Sequence, residues 1–343
     1  MQVGVILGDV PARVPPRDHL DSLLRQMEAI QRNGFRFVTM GHHYLYGDYR
    51  WLQPIPTLAR LSAELDADVR LATTIVQVPL LHPVTLAEDL ATLDIMTGGR
   101  LTIGLGAGYR PDEFVALNIP YEERFARFDE AVPLMQRLWT ESHVTHEGRF
   151  WHLEDVAPHI SPIQQPHPPL WIGAMSETGV RRAARLGDGW PVTPEATVPT
   201  MRHLMAVYED ERDRLGRPHV RHPLRREIVL GRTDDEAFER FERMARQRLV
   251  AYAQRSLASR DEAELSTAFR AVAEREAFVG TAQTVIDKIA DLAAVVPIDP
   301  ILVRVQWPDL DASAVVAYLD ELGREVLPAL REIESVARVV RED

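Results

Sequence analysis

The sequence predicts an α/β fold of the (β/α)8 TIM-barrel class, and three observations carry that expectation. Short apolar runs alternate along the chain with longer segments of helical periodicity. The first four runs begin near residues 3, 35, 69 and 101, a spacing of one strand–helix–strand unit, which favours parallel pairing. The pattern returns at 170–173, 187–192, 225–231 and 301–305, so eight strands are expected, each followed by a helical pattern. A doubly wound open sheet is the alternative. Its first strand should run into a glycine-rich binding turn, and Gly8-Asp9-Val10-Pro11 lacks that fingerprint.

The elements follow in order. Residues 3–7 read as a buried strand, and Leu20, Leu23, Leu24, Met27 and Ile30 recur at helical spacing before the stop signal Asn33-Gly34. Residues 35–40 form the second strand, and Leu58, Leu61 and Leu65 mark the next helix. Residues 69–78 form the third strand, and the helix of Leu86, Leu90, Leu93 and Met96 closes at Gly98-Gly99 before the fourth strand at 101–105. Two gaps exceed one unit. The first, about 141–169, carries a hairpin pattern at 144–156 turning at Gly148, then a proline-rich passage. The second, about 246–278, is highly charged. The expectation is one domain over residues 1–343, with insertions after strands four and seven.

Composition narrows the chemistry. The chain has 343 residues, 45% of them apolar, enough for a globular core. The absence of cysteine excludes disulfides, thiolate metal sites and a cysteine nucleophile. A net charge of −12 argues against nucleic acid and anionic membranes as partners. All 39 basic residues but Lys288 are Arg, and Lys288 lies in a polar helical stretch, so Schiff-base and P-loop chemistry are not expected. The start of the chain shows no signal-peptide pattern and no window is apolar enough to span a membrane, so a cytoplasmic protein is expected.

Barrel sites form at the C-terminal ends of strands. The second strand ends in Gly41-His42-His43-Tyr44. Neighbours on a strand face opposite ways, so the two His are poorly placed to share a metal. His42 is a candidate for proton transfer, the plainer alternative being a His packed on a loop. The fourth strand runs through Gly104 and Gly106 to Gly108 and Tyr109, which either packs tightly or admits a flat ring. Gly173, Ala174, Met175, Ser176 and Thr178 precede a helix, whose free N–H groups suit an anion; Ser176 could equally be a simple cap. Arg225 and Glu227 share one face of strand seven, as a structural ion pair or a polar mouth; Arg304 and Gln306 share one face of strand eight. Tyr44, Tyr46, Tyr109 and Trp307 suggest an apolar or aromatic substrate, or packing. No nucleophile elbow occurs, and Asp112 and Glu113 read as loop residues, a weak case for a glycosidase pair.

Taken together these segments resemble the bacterial luciferase-like flavin-dependent monooxygenases. Gly41-His42-His43-Tyr44 is similar to that family's Glu-His-His-Phe segment. Leu81-His82-Pro83, Gly98-Gly99-Arg100-Leu101, Gly104 to Tyr109 and Asp112-Glu113-Phe114 continue the likeness. So do Glu147-Gly148-Arg149-Phe150, Pro168 to Gly173, Gly187-Asp188-Gly189-Trp190, Gly280-Thr281-Ala282 and Trp307-Pro308. The order and spacing of these segments carry the resemblance over nearly the whole chain.

The resemblance implies an oxidoreductase barrel holding reduced FMN, supplied by a separate NAD(P)H-dependent flavin reductase, and using O2 on a small organic substrate. The deazaflavin coenzyme F-420, with hydride transfer, is the alternative; a barrel that binds a ligand without turnover is the reading from another class. His42 matches a position beside the flavin ring, Thr73 and Thr74 match ring contacts, and Gly106 and Tyr109 lie on the matching fourth-strand turn. Gly173, Ala174, Met175, Ser176 and Thr178 match the phosphate turn, and Arg225 matches an active-site Arg of some FMN members. Tyr44, Glu227, Arg304, Gln306 and Trp307 are the candidate substrate pocket. Residues 246–276 match a mobile lid, and a homodimer through helices two and three is implied. Gly41 departs from the family's usual acidic residue, and Glu227 stands where some members have His, so light emission is not expected.

Overall fold

The computed structural model describes residues 1–255, 273–307 and 310–341. Its strands are β1 (Val3–Leu7), β2 (Phe37–Met40), β3 (Arg70–Thr73), β4 (Leu101–Gly106), β5 (Leu170–Ile172), β6 (His222–Arg225), β7 (Glu227–Leu230), β8 (Ala277–Gly280) and β9 (Ile298–Arg304). The helices used below are α1 (Pro16–Asn33), α2 (Pro54–Ser62), α3 (Pro83–Met96), α4 (Pro111–Ala116), α5 (Arg124–Thr140), α6 (Glu177–Leu186), α7 (Val198–Arg214) and α8 (Asp234–Arg255).

Seven strands form one curled parallel sheet in the order β5-β4-β3-β2-β1-β9-β6. The sheet's two outer strands are each touched by the segment that follows α6: Trp171 bridges Gly189, and Val192 bridges Leu224, both in parallel. Inside the curl, Ile6, Phe37, Ala72, Trp171 and Leu302 form their own apolar cluster. The opposite faces of the same strands, such as Val5, Leu7, Val38 and Leu71, pack into the larger core with the helices. This is the period-two alternation of a strand buried on both sides. In α1, Leu23, Met27 and Ile30 supply the buried stripe, and Gly34 ends the helix at φ 73°, a conformation that costs glycine little.

Three expectations are corrected. The segment 187–192 makes isolated bridges rather than a strand, and Pro191 in its middle has no N–H to give to a ladder. The seventh strand begins earlier than expected, at His222, and breaks at Arg226; β7 then leaves the curled sheet and pairs with β8. The third strand also divides, since β3 ends at Thr73 and only Val76–Gln77 resumes pairing with β4.

The hairpin after α5 forms as expected, Val144–Glu147 against His152–Val156. It is pinned to α5 by Glu130, whose carboxylate accepts the N–H groups of Arg149, Phe150 and Trp151 and contacts the His146 ring. Of the expected lid, residues 256–272 lie outside the described residues. Among the described residues, no helix is long and apolar enough to cross a membrane.

Candidate active site

Parallel strands place all their C-terminal ends on one rim, and most of the sequence-derived candidates lie at these ends, in four groups. The first lies where β2, β3 and β4 end. His42 is buried, at 4% exposure, and its Nδ1 accepts the backbone N–H of Gln77 at 3.1 Å. A backbone N–H can only donate, so Nδ1 carries the lone pair and the neutral ring holds its proton on Nε2. Burial, reinforced by the neighbouring His43, pushes the His42 pKa down to about 4, against a smaller opposing pull from Glu113. The Tyr44 ring meets His42 edge-on at 4.6 Å.

Glu113, read from sequence as a loop residue, is the hub of this group. It sits on α4, which Pro111 opens, and its side chain is 1% exposed. Its Oε1 accepts the Tyr44 backbone N–H at 2.7 Å and the Gln77 side-chain amide at 3.1 Å, and meets His43 Nδ1 at 3.1 Å. Arg110 lies 3.9 Å from the same oxygen and over the Tyr46 ring. Burial would raise the Glu113 pKa, but these hydrogen bonds, His43 foremost, hold it below the usual carboxylate range. Around His43 stand Tyr46, Trp51 and Tyr109, the last an exposed residue.

The departure at Gly41 has a steric cause. A Cβ there would stand 2.9 Å from the Trp51 ring, whose Nε1 donates to the Gly41 carbonyl at 2.8 Å. Trp51 occupies the space a carboxylate would need, and the negative charge beside the His pair comes instead from Glu113. The signal for this was present in the sequence, since Asp112-Glu113 follows a proline that starts a helix, but only the fold brings Glu113 of α4 against the segment after β2.

The glycines of β4 serve a residue the sequence reading passed over. A Cβ on Gly106 would lie 1.7 Å from Ile75 Cδ1, one on Gly104 would lie 3.2 Å from Ile75 Cγ2, and one on Gly173 would lie 3.2 Å from Ile75 Cδ1. Ile75 therefore fills the gap that the glycine run leaves. Thr73 is fully buried and its hydroxyl exchanges two 2.8 Å bonds with the peptide groups of Gly104, locking β3 to β4. Thr74 is half-buried and contacts the Thr39 hydroxyl at 3.1 Å.

The second group is the turn after β5. Ser176 caps α6, its hydroxyl accepting from the Gly179 N–H at 3.3 Å. Met175, Ser176 and Thr178 are exposed, Gly173 and Ala174 half-buried. The N–H groups of Glu177 and Thr178 open the helix and have no intrahelical acceptor. The Glu177 carboxylate at this end is engaged by His203 at 2.7 Å. Arg182 bonds Asp129 on α5, and Arg181 lies 3.8 Å from Glu211.

The third group joins β1 to β9. Arg304 pairs with Asp9 at 3.0 Å, both largely buried. Gln306 donates its amide to the carbonyls of Trp307 and Leu310. Trp307 does not reach the mouth: it is 2% exposed in a separate apolar cluster with Val229, Phe241, Ala277 and Val279. The fourth group is at the β6–β7 break, where Arg225 lies 3.7 Å from Glu227. Arg226 beside it is buried, donates to the Ala196 carbonyl at 2.7 Å, and has its pKa pushed down to about 10 by burial, against Glu227, Glu276 and Glu195. Among the described residues, no group of three or more His, Asp or Glu could hold a metal.

The family model for luciferase-like monooxygenases matches residues 1–297. The structure of the monooxygenase RslO1 from Streptomyces bottropensis superposes with a TM-score of 0.82 at 28% identity, covering 96% of this chain and 100% of that one. The oxygenase component of a flavin-dependent trigonelline monooxygenase from Acinetobacter baylyi is 28% identical over 208 residues, 58% of this chain and 57% of that protein. An F420-dependent hydroxymycolic acid dehydrogenase from Mycobacterium tuberculosis is 29% identical over 193 residues, 55% of this chain and 51% of the relative.

Proposed function

The chain belongs to the luciferase-like monooxygenase family, and from that premise we propose that it is the oxygenase of a two-component system. It takes FMN already reduced by a separate NAD(P)H-dependent flavin reductase and uses O2 to oxidise a small organic substrate in the cytoplasm. We read its fold as a single (β/α)8 barrel over residues 1–343, with 141–169 and 246–278 as insertions and a homodimer as the assembly.

The observation that carries the reading is His42: a buried, uncharged imidazole at a strand's C-terminal end, with Nδ1 committed to Gln77 and the proton on Nε2. The residues present fit the cofactor. The Gly173–Thr178 turn opens α6 with free N–H groups for a phosphate. Half-buried Ile75, seated between the strand-end glycines, gives an apolar wall for a flat ring, with Thr74 and Gly106 beside it and Tyr109 edge-on to His43. When bound, reduced FMN supplies the two electrons that activate O2. The protein's part is to bind, to orient and to exclude water. His42 offers a hydrogen bond from Nε2–H, Arg225 and Arg304 with their carboxylate partners set the polarity at the β6 and β9 ends of the same rim, and Tyr44, Glu227 and Gln306 complete the substrate side.

Hydride transfer with F-420 is the second reading, favoured by the similarity to an F420-dependent dehydrogenase. Titration of the purified protein with reduced FMN and with F-420, followed by fluorescence, separates the two. Binding of reduced FMN and substrate-dependent O2 uptake with a flavin reductase present are the expected results. Binding of F-420 alone supports the second reading, and turnover with either removes a ligand-binding barrel without catalysis. Binding of neither overturns the proposal.

A further inference from the structure

We propose that Glu113 is the positioning residue for His42: it holds Gln77, and Gln77 holds the imidazole as the tautomer that presents Nε2–H. The inference rests on the reading of His42 as the donor at the site, and it adds how the donor is kept in one state.

Two contacts join Gln77 to His42, the backbone N–H to Nδ1 at 3.1 Å and the side-chain Nε2 to the His42 carbonyl at 2.9 Å. The same Nε2 donates to Glu113 Oε1 at 3.1 Å. Both partners of that amide nitrogen are acceptors. A flipped amide would turn its oxygen toward a carbonyl and a carboxylate, so the orientation is decided by the network. The strand of Gln77 pairs with β4 through two residues only, Val76 with Leu105 and Gln77 with Gly106. Glu113 supplies a further anchor. Its oxygen also takes the Tyr44 N–H at 2.7 Å, so one buried carboxylate holds the chain on both sides of the imidazole.

The charged and titratable neighbours are few. His43 and Tyr44 come from the same segment as His42, and Glu113 and Arg110 come from the β4–α4 connection. Without Glu113 the Gln77 side-chain amide loses one of its two acceptors and the Tyr44 N–H loses its own, so the backbone N–H that meets Nδ1 is held less firmly against the ring. A ring that can then carry its proton on either nitrogen presents a lone pair in place of Nε2–H for part of the time.

The test reads the tautomer directly, by long-range 1H–15N NMR on the full-length protein labelled at histidine, with His42 assigned by His42→Asn. The wild type should show one His42 species with the proton on Nε2. Glu113→Ala should show mixed tautomers, and a kcat lowered roughly 10- to 100-fold, by analogy with the loss when a group that orients a metal-bound imidazole is removed, at little changed cofactor affinity. Glu113→Gln keeps an acceptor oxygen for Gln77 and Tyr44 and should restore the single species and most of kcat. Should Glu113→Ala fail to fold, Gln77→Ala, which keeps the backbone donor but cuts the link to Glu113, should show the same mixing. A wild-type proton on Nδ1, or an unmixed Nε2–H species in the folded alanine variants, overturns the proposal. The spectrum needs no cofactor, so absent flavin binding would refute the function and leave this result standing.

Discussion

Gly104→Ala and Gly106→Ala are expected to differ sharply in cost, although both glycines stand two residues apart on β4. A Cβ at Gly104 would lie 2.1 Å from the Thr73 carbonyl oxygen, a backbone atom held in place by the paired bonds between the Thr73 hydroxyl and Gly104. Accommodating it separates β3 from β4. That forfeits two buried hydrogen bonds at about 1 kcal/mol each and adds an overpacking cost of about 1–3 kcal/mol, or roughly 3–5 kcal/mol together. A Cβ at Gly106 meets only the end of the Ile75 side chain, at 1.7 Å from Cδ1, with the next atom, Cγ1, at 3.1 Å. Rotation of Ile75 relieves this contact, so about 1 kcal/mol is expected. Ile75→Val removes Cδ1 and should return most of that loss in the double variant. Urea unfolding midpoints at constant m-value give the four free energies. A Gly104→Ala protein within about 1 kcal/mol of wild type, or a Gly106→Ala/Ile75→Val protein no more stable than Gly106→Ala, would refute the account of why these strand ends are glycine.

Three further outcomes are expected. His42→Ala should lower turnover by roughly 10²- to 10⁴-fold while reduced-cofactor affinity in a fluorescence titration stays near wild type; unchanged turnover removes His42 from the chemistry. Stability should fall with pH between 7 and 5. Burial pushes His42 down to about 4 and His222 down to about 3, and lowers His19, so over that window the unfolded chain binds the extra protons and the folded state loses roughly 2–4 kcal/mol. Carboxylates held low by partners, such as Glu113 and Glu130, contribute their own loss only at more acidic pH, and Glu276, raised by burial, opposes the trend. A urea midpoint that holds or rises from pH 7 to pH 5 contradicts this. Ser176→Ala should cost about 1 kcal/mol by leaving the Gly179 N–H uncapped, and Ser176→Gly only a few tenths; equal thermal midpoints for the two would deny the cap.

Much of the frame was legible because its signals are local. The stop at Asn33-Gly34, the hairpin turning at Gly148 and the cap at Ser176 each depend on residues within one turn of each other. Elements failed to match where a local apolar run met a backbone constraint from elsewhere. The run at 187–192 has strand-like residues, but Pro191 cannot donate to a neighbour. Residues 225–231 alternate like one strand, yet β6 stays with β9 and β7 pairs with β8. Trp307 shows the same limit for side chains. An aromatic after the last strand reads as a mouth residue, but a second apolar cluster was there to bury it.

The sequence by itself determined that this is an acidic α/β protein of parallel strands, thiol-free, with its polar candidates at strand ends. Those properties are sums over the chain or patterns within one element. Only the tertiary structure decided the partners. It placed Trp51 in the space at Gly41, Ile75 among the strand-end glycines, and Glu113, 70 positions along the chain, against His43. These choices depend on contacts of a few ångströms between residues far apart in sequence, and a hydrogen bond or a steric exclusion exists only once the fold has closed that distance.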